Sequence, residues 1–204
     1  MDPEAHWESV YRAKAPDAVS WYRPHLDLSL RLIERAATSR AASIIDVGGG
    51  ESTLVDDLVR LGYQNLTVLD IAPTALAVTR SRLGPAAESV QWIAADVTRV
   101  ALPHDSFDVW HDRAVFHFLT TLEERAAYVQ NVLMSMRPGG SVIVSAFGPE
   151  GPTHCSGLDV VRYDAQTLHN QFGRAFRLVD SAQELHRTPW GTTQQFVYCY
   201  CLVD

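Results

Sequence analysis

The chain has 204 residues, 47% hydrophobic and 20% charged, enough apolar matter for a full core and too much for disorder. Its formal net charge is -7, Lys14 is its only lysine and no arginine run makes a basic stripe, which argues against nucleic acid as a partner. Three cysteines without framework spacing (Cys155, Cys199, Cys201), a polar acidic start and apolar runs well short of the ~20 residues of a membrane span describe a cytoplasmic protein with reduced thiols and no membrane contact.

The length favours one domain over 1–204. Residues 6–14 and 26–37 have helical spacing, with Leu26, Leu30 and Ile33 on one face. The pattern then alternates. SIIDV (43–47) predicts a buried strand and 51–61 a helix; LTVLD (66–70) predicts a strand, and 73–83 a helix opened by Pro73. Further strands are expected over 90–96, 107–112 and 140–147, with a helix over 121–136. After a helix near 164–172, the stretches 175–186 and 193–203 read as strands joined through RTPWGT. Alternating strands and helices predict an α/β fold: a mostly parallel, Rossmann-like sheet with helices on both faces. The tail predicts an antiparallel C-terminal hairpin at its edge.

Gly48, Gly49 and Gly50 follow the first strand, where an open α/β sheet binds its ligands. Glycine permits positive φ and close approach of a ligand to the main chain. A helix beginning near Glu51 presents free N–H groups there. A turn that binds nothing can carry the same glycines, so the motif alone is weak. The acids add weight. Asp46 precedes the glycines, Asp70 ends the second strand, Asp96 the third and Asp112 the fourth, and all four converge on one sheet edge. A nicotinamide dinucleotide wants G-x-G-x-x-G, but Thr53 holds the third glycine position and Glu51 would repel a pyrophosphate. S-adenosyl-L-methionine carries a sulfonium and an amino group and no phosphate, so an acid-rich pocket selects it as cofactor.

With these residues in place, the chain resembles the class I S-adenosylmethionine-dependent methyltransferases, in particular the small bacterial type similar to thiopurine- and halide-type enzymes. The matching blocks are IIDVGGGES, LTVLDIAPTAL, WIAADVT, FDVWHDRAVFHFL and MRPGGSVIV. The resemblance implies a seven-stranded sheet with its last strand inserted antiparallel. It also implies that Asp46 and Gly48 to Gly50 hold the methionine portion and that Asp70 takes the ribose hydroxyls, with Ile71 against the adenine. Asp96 would meet the adenine amino group, the Val97 N–H a ring nitrogen, and the main chain near His111 and Asp112 the methionyl amine. Ser52 stands where a glycine is common in the family. Within the one domain, 1–38 is expected as an N-terminal helical lid and 43–147 as the cofactor core. The remaining segment, 148–204, is expected as a substrate-side loop, helix and hairpin.

The acceptor is less legible. DRAV follows the fourth strand in place of the Asn/Asp-Pro-Pro-Tyr of enzymes acting on amide or base nitrogens, and no large insertion offers a protein-docking surface. A small-molecule acceptor is expected, with sulfur or another soft atom ahead of nitrogen and oxygen. Protein lysine methylation and a silent binding module are the alternatives. His117, five residues beyond Asp112, is the candidate general base, and Asp112 the second catalytic candidate. Trp21 and Tyr22 are candidates to cover the sulfonium and the substrate. The Asp-Arg pair adds Arg113 to the substrate side. Arg162 in the loop could pair with an anionic substrate, and Cys155 could meet a metalloid. No zinc spacing occurs, so no metal is expected.

Overall fold

Five apolar stretches form the parallel part of a seven-stranded sheet. They are β1 Ser43–Val47, β2 Asn65–Asp70, β3 Val90–Ala94, β4 Phe107–Arg113 and β5 Met136–Phe147. A computed structural model describes residues 2–204. His154–Cys155 (β6) and Leu158–Asp159 (β7) make a separate two-stranded hairpin, while β8 Phe176–Arg187 and β9 Thr193–Val203 complete the main sheet. The strand order is β3-β2-β1-β4-β5-β9-β8, and β9 is antiparallel to both β5 and β8. The expected terminal hairpin and the antiparallel insertion are both present.

Side chains alternate across the strands and build a core on each face. Ile45, Val47, Trp110, Val142, Val144, Cys199 and Cys201 face one layer. That layer is closed by α5 Leu122–Ser135 through Tyr128 and Val132, and by α6 Ala165–His169 through Leu168. Ile44, Val68, Val109, Ile143, Phe196 and Tyr198 face the other. There α2 Asp27–Ala36, α3 Leu54–Arg60 and α4 Pro73–Leu83 supply Leu32, Ile33, Leu54, Leu58 and Leu76. Burial pushes the Cys199 and Cys201 thiols up to about 12, so both are inert core groups.

The N-terminal helix α1, Pro3–Ala13, is capped by Asp2 and pinned to α4. No side chain of α4's own caps its N-terminus. Glu8 does so instead, accepting from the Thr74 N–H at 2.8 Å and from the Thr74 hydroxyl at 2.6 Å. These bonds hold the Glu8 carboxyl below the usual carboxylate range. The same contact lays α1 beside the carboxyl ends of the strands.

Candidate active site

The order reverses between β1 and β4, and the crevice beyond that switch point is where a ligand is expected. A cavity of about 400 Å³ opens there, within the range of about 300–1,000 Å³ for small-molecule sites. Val47, Gly48, Asp70, Ile71, Asp96, Val97, Ala114 and Val115 form its floor. Trp7 and Tyr11 of α1, Trp21, Phe118, Phe147 and Phe196 form aromatic walls. The Trp7 ring stands edge-on to Phe118 at 4.9 Å and to Trp21 at 6.0 Å, so α1 packs directly onto the turn after β4.

The glycine loop fits tightly. Gly48 has φ +69° and a Cβ there would overlap the Val115 side chain; one on Gly50 would lie 2.7 Å from Asp70 Oδ2 and 2.8 Å from the Tyr11 hydroxyl. Bare backbone is needed because β4's turn, the second-strand acid and Tyr11 of α1 all converge on it. Asp70 is buried, with Oδ1 accepting from the Ala72 N–H at 2.8 Å. Burial pushes its carboxyl up to about 7, against the Ala72 N–H that opposes the shift. Glu51 is also buried, its Oε2 has no hydrogen-bond partner, and burial raises it to about 7.

Asp46 is not a free acid. Its Oδ1 lies 2.7 Å from His111 Nδ1, and His111 Nε2 lies 2.9 Å from Ser29 Oγ. Ser29 continues to Tyr198, which also contacts Arg113 and Glu184. Arg113 donates to the Trp21 carbonyl and to Glu184, and its guanidinium lies over the Phe196 ring. A buried chain of polar groups thus ties β1, next to the glycine loop, to the terminal hairpin and to the segment before α2. Arg113 lines the cavity with its charge already met by Glu184.

Two catalytic expectations are corrected. Asp112 alternates onto the α5 face, where it accepts from the Val115 and Phe116 N–H groups and from the Tyr128 hydroxyl at 2.6 Å. It organises the turn after β4 instead of facing the cavity. His117 is 0% exposed and absent from the cavity wall. Its Nδ1 accepts from the Phe147 N–H at 3.2 Å, its ring packs on Phe118 and Phe147, and burial drives its pKa down to about 3. A group held neutral behind the wall is a packing residue. His117→Ala is expected to cost about 2–4 kcal/mol of stability through the void it leaves. Thermal denaturation checks the loss, and binding of a ligand in the cavity should change little.

The substrate-side expectations divide. Cys155 lines the cavity beside Leu158 and Asp159, its thiol raised by burial. Tyr22 lies instead in a smaller recess behind the glycine loop, next to Trp21, which borders both spaces. Arg162 is removed from the substrate list: it donates to the Pro149 and Gly151 carbonyls and braces the loop. His6, Trp7, Tyr11, Glu51 and Ala114 were not singled out from sequence as site residues, yet all border these spaces. Among the described residues, no group of three or more His, Cys, Asp or Glu could hold a metal ion, and no helix is long and apolar enough to cross a membrane.

The cations bordering the two spaces, Arg113 and Arg23, are both paired with Glu184, while Asp70 and Glu51 face the loop without a basic partner. Such a lining fits a cationic, phosphate-free ligand. Residues 45–144 match the family described as methyltransferase domain. That segment, just under half of the chain, is a methyltransferase domain.

The chain is 25% identical over 144 residues to the eEF1A lysine and N-terminal methyltransferase homolog of Drosophila melanogaster. The match takes in 68% of the chain but only 21% of that protein, so the chain spans about a fifth of the first curated relatives. A structure from work on conversion of a disulfide bond into a thioacetal group during echinomycin biosynthesis superposes with TM-score 0.80 at 19% identity. It covers 98% of this chain and 93% of the other. The Burkholderia thailandensis 1,6-didemethyltoxoflavin-N1-methyltransferase, with its substrate and S-adenosylhomocysteine bound, gives TM-score 0.73 at 20% identity over 98% and 87%. S-adenosylmethionine is the family's cofactor, and the lining described above fits it.

Proposed function

We propose that the protein transfers the methyl group of S-adenosylmethionine to a small-molecule nucleophile in the cavity under α1. The observation that carries this reading is the aromatic enclosure. Trp7, Trp21, Phe118, Phe147 and Phe196 surround the space beside the cofactor floor, and the lid helix forms its outer side. Such a chamber suits a compact apolar or planar molecule better than a lysine on a folded protein.

In this reading Asp70 accepts from the ribose hydroxyls. Ile71, Asp96 and Val97 border the adenine, although one Asp96 oxygen is already engaged with the Thr98 N–H and hydroxyl. The glycine loop lies along the methionine portion, and the ring of Trp21 covers the reacting centre. The cofactor supplies an electrophilic methyl on a sulfonium. The chain supplies in-line placement and exclusion of water. His117 and Asp112 are turned away, which favours an acceptor that loses its proton easily, such as a thiol. The echinomycin-pathway structure, whose described chemistry is at sulfur, is consistent with that preference. Lysine methylation is the second reading, favoured by the names of the curated relatives.

Release of S-adenosylhomocysteine over a panel of aromatic thiols, amines, phenols and lysine peptides tests the proposal. Turnover of thiols supports it; turnover of lysine peptides alone would replace it with the second reading.

A pH dependence follows from Asp70. Its carboxyl ionises near 3.8 when unfolded and near 7 when folded. The ligand-free protein therefore keeps this contribution to stability below about pH 4 and loses it as pH rises through about 7. Cofactor binding draws on the ionised acid, so affinity is expected to rise between about pH 6 and 8 and then level. Titration calorimetry across that range checks the direction.

A further inference from the structure

Behind the glycine loop, the main cavity continues into a recess of about 40 Å³. The two spaces share Tyr11, Trp21, Val47, Gly48 and Arg113 along their border. The recess has room for a small polar head group and little else. Its carboxylates are Asp46 and Glu51.

These two acids are in different positions. Asp46 has one oxygen spent on His111, which is held in turn by Ser29. Glu51 is only 6% exposed and its Oε2 has no partner. The nearby Arg82 does not satisfy it: that guanidinium bonds to Asp56 and to the main-chain oxygens of Glu51 and Ser52. A buried carboxylate oxygen without a donor is costly unless a ligand supplies one. The missing partner is a cation carrying several N–H donors, small enough for the recess and attached to a larger body in the main cavity.

We propose that Glu51 receives the ammonium group of the cofactor's methionine tail, as a charge-assisted partner separate from Asp46. The assignment rests on the S-adenosylmethionine reading above and adds a residue that the family resemblance did not supply. Asp46, through His111 and Ser29, then serves mainly to fix the loop. Glu51 lies in the turn ahead of α3, where a carboxylate would repel a pyrophosphate and attracts an amine.

The test uses titration calorimetry on the whole chain with four ligands. These are S-adenosylmethionine, S-adenosylhomocysteine, the deamino analogue of S-adenosylhomocysteine, and 5′-methylthioadenosine, which lacks the amino-acid tail. Glu51→Gln keeps the side chain's shape and removes its charge. It is expected to weaken the first two ligands equally, by roughly 10–100-fold, and to leave the last two within about twofold. Equal affinity of all four for wild type and variant would overturn the assignment. So would an equal loss for all four, which marks a structural role, or a loss confined to S-adenosylmethionine, which points to the sulfonium. The wild type alone gives an independent arm. If it binds the deamino analogue as tightly as S-adenosylhomocysteine, the ammonium has no receptor and the proposal fails even if the variant does not fold. Absence of binding by all four to wild type would instead remove the cofactor reading itself, and Glu51's role with it.

Discussion

Asp70→Asn is expected to weaken S-adenosylmethionine binding by about 2–4 kcal/mol while the fold survives. The carboxylate ends β2 with Oδ1 held by the Ala72 N–H and Oδ2 beside Gly50. Two ribose hydroxyls on an ionised acid are worth roughly 1.5–3 kcal/mol each, and asparagine keeps part of one. Stability should move the other way. Above pH 7 the wild-type protein buries a charge in a site that prefers it neutral, and the amide removes that penalty. Weaker binding together with equal or higher melting temperature at pH 8 is the expected pattern. A variant that binds normally removes Asp70 from the cofactor site, and one that melts early marks it as a structural acid. The rise of affinity between about pH 6 and 8 should become shallower in Asp70→Asn without vanishing, because Glu51, also raised to about 7 by burial, still has to ionise.

Gly48→Ala carries the second large effect. Its φ of +69° costs an L side chain roughly 1–2 kcal/mol, and the overlap of its Cβ with Val115 adds roughly 1–3 kcal/mol of overpacking. The loop and the turn after β4 have to separate, and both border the cavity, so cofactor binding should fall severely. The two causes separate in a double-mutant cycle. Adding Val115→Ala relieves the overlap and should restore part of the stability, leaving the backbone cost behind. Independent, additive losses would show that the Val115 contact is not what demands glycine here. The bare backbone at the end of β1 thus has a use before any ligand arrives: it lets β4's turn close onto the loop.

Much of the fold was legible because periodicity and end signals agree locally. SIIDV and the final strand begin and end where their patterns do, and Pro73 opens α4 at its first residue. The differences lie where non-local pairing decides. β5 starts at Met136, four residues before the expected 140, because Met136 pairs with Phe107 across a register shift. The Pro- and Gly-rich loop after β5 contains the small β6–β7 hairpin, whose two-residue strands carry no period to read. The helix near 164–172 contracts to Ala165–His169, capped by Asp164 and Thr167.

The site divides in the same way. Strand-end positions such as Asp70, Asp96 and the glycines follow from topology, since every parallel strand delivers its end to one edge. Positions past a strand end do not. Ala114 takes φ +77°, a conformation unusual for alanine, and the short helix that follows turns His117 inward under Phe147. Strand alternation puts Asp112 on the face opposite Asp46 and Asp70. The contribution of Tyr11 and Trp7 depends on the Glu8–Thr74 contact, 66 residues apart in the chain, and no local pattern announces it.

Titration of the purified chain with S-adenosylhomocysteine, with NADH as the control, is the most direct test of the central claim that this cavity is a methyl-donor site. The account predicts saturable heat for one site per chain with S-adenosylhomocysteine, abolished or strongly reduced in Asp70→Asn, and none with NADH. Heat with NADH and none with S-adenosylhomocysteine would contradict it.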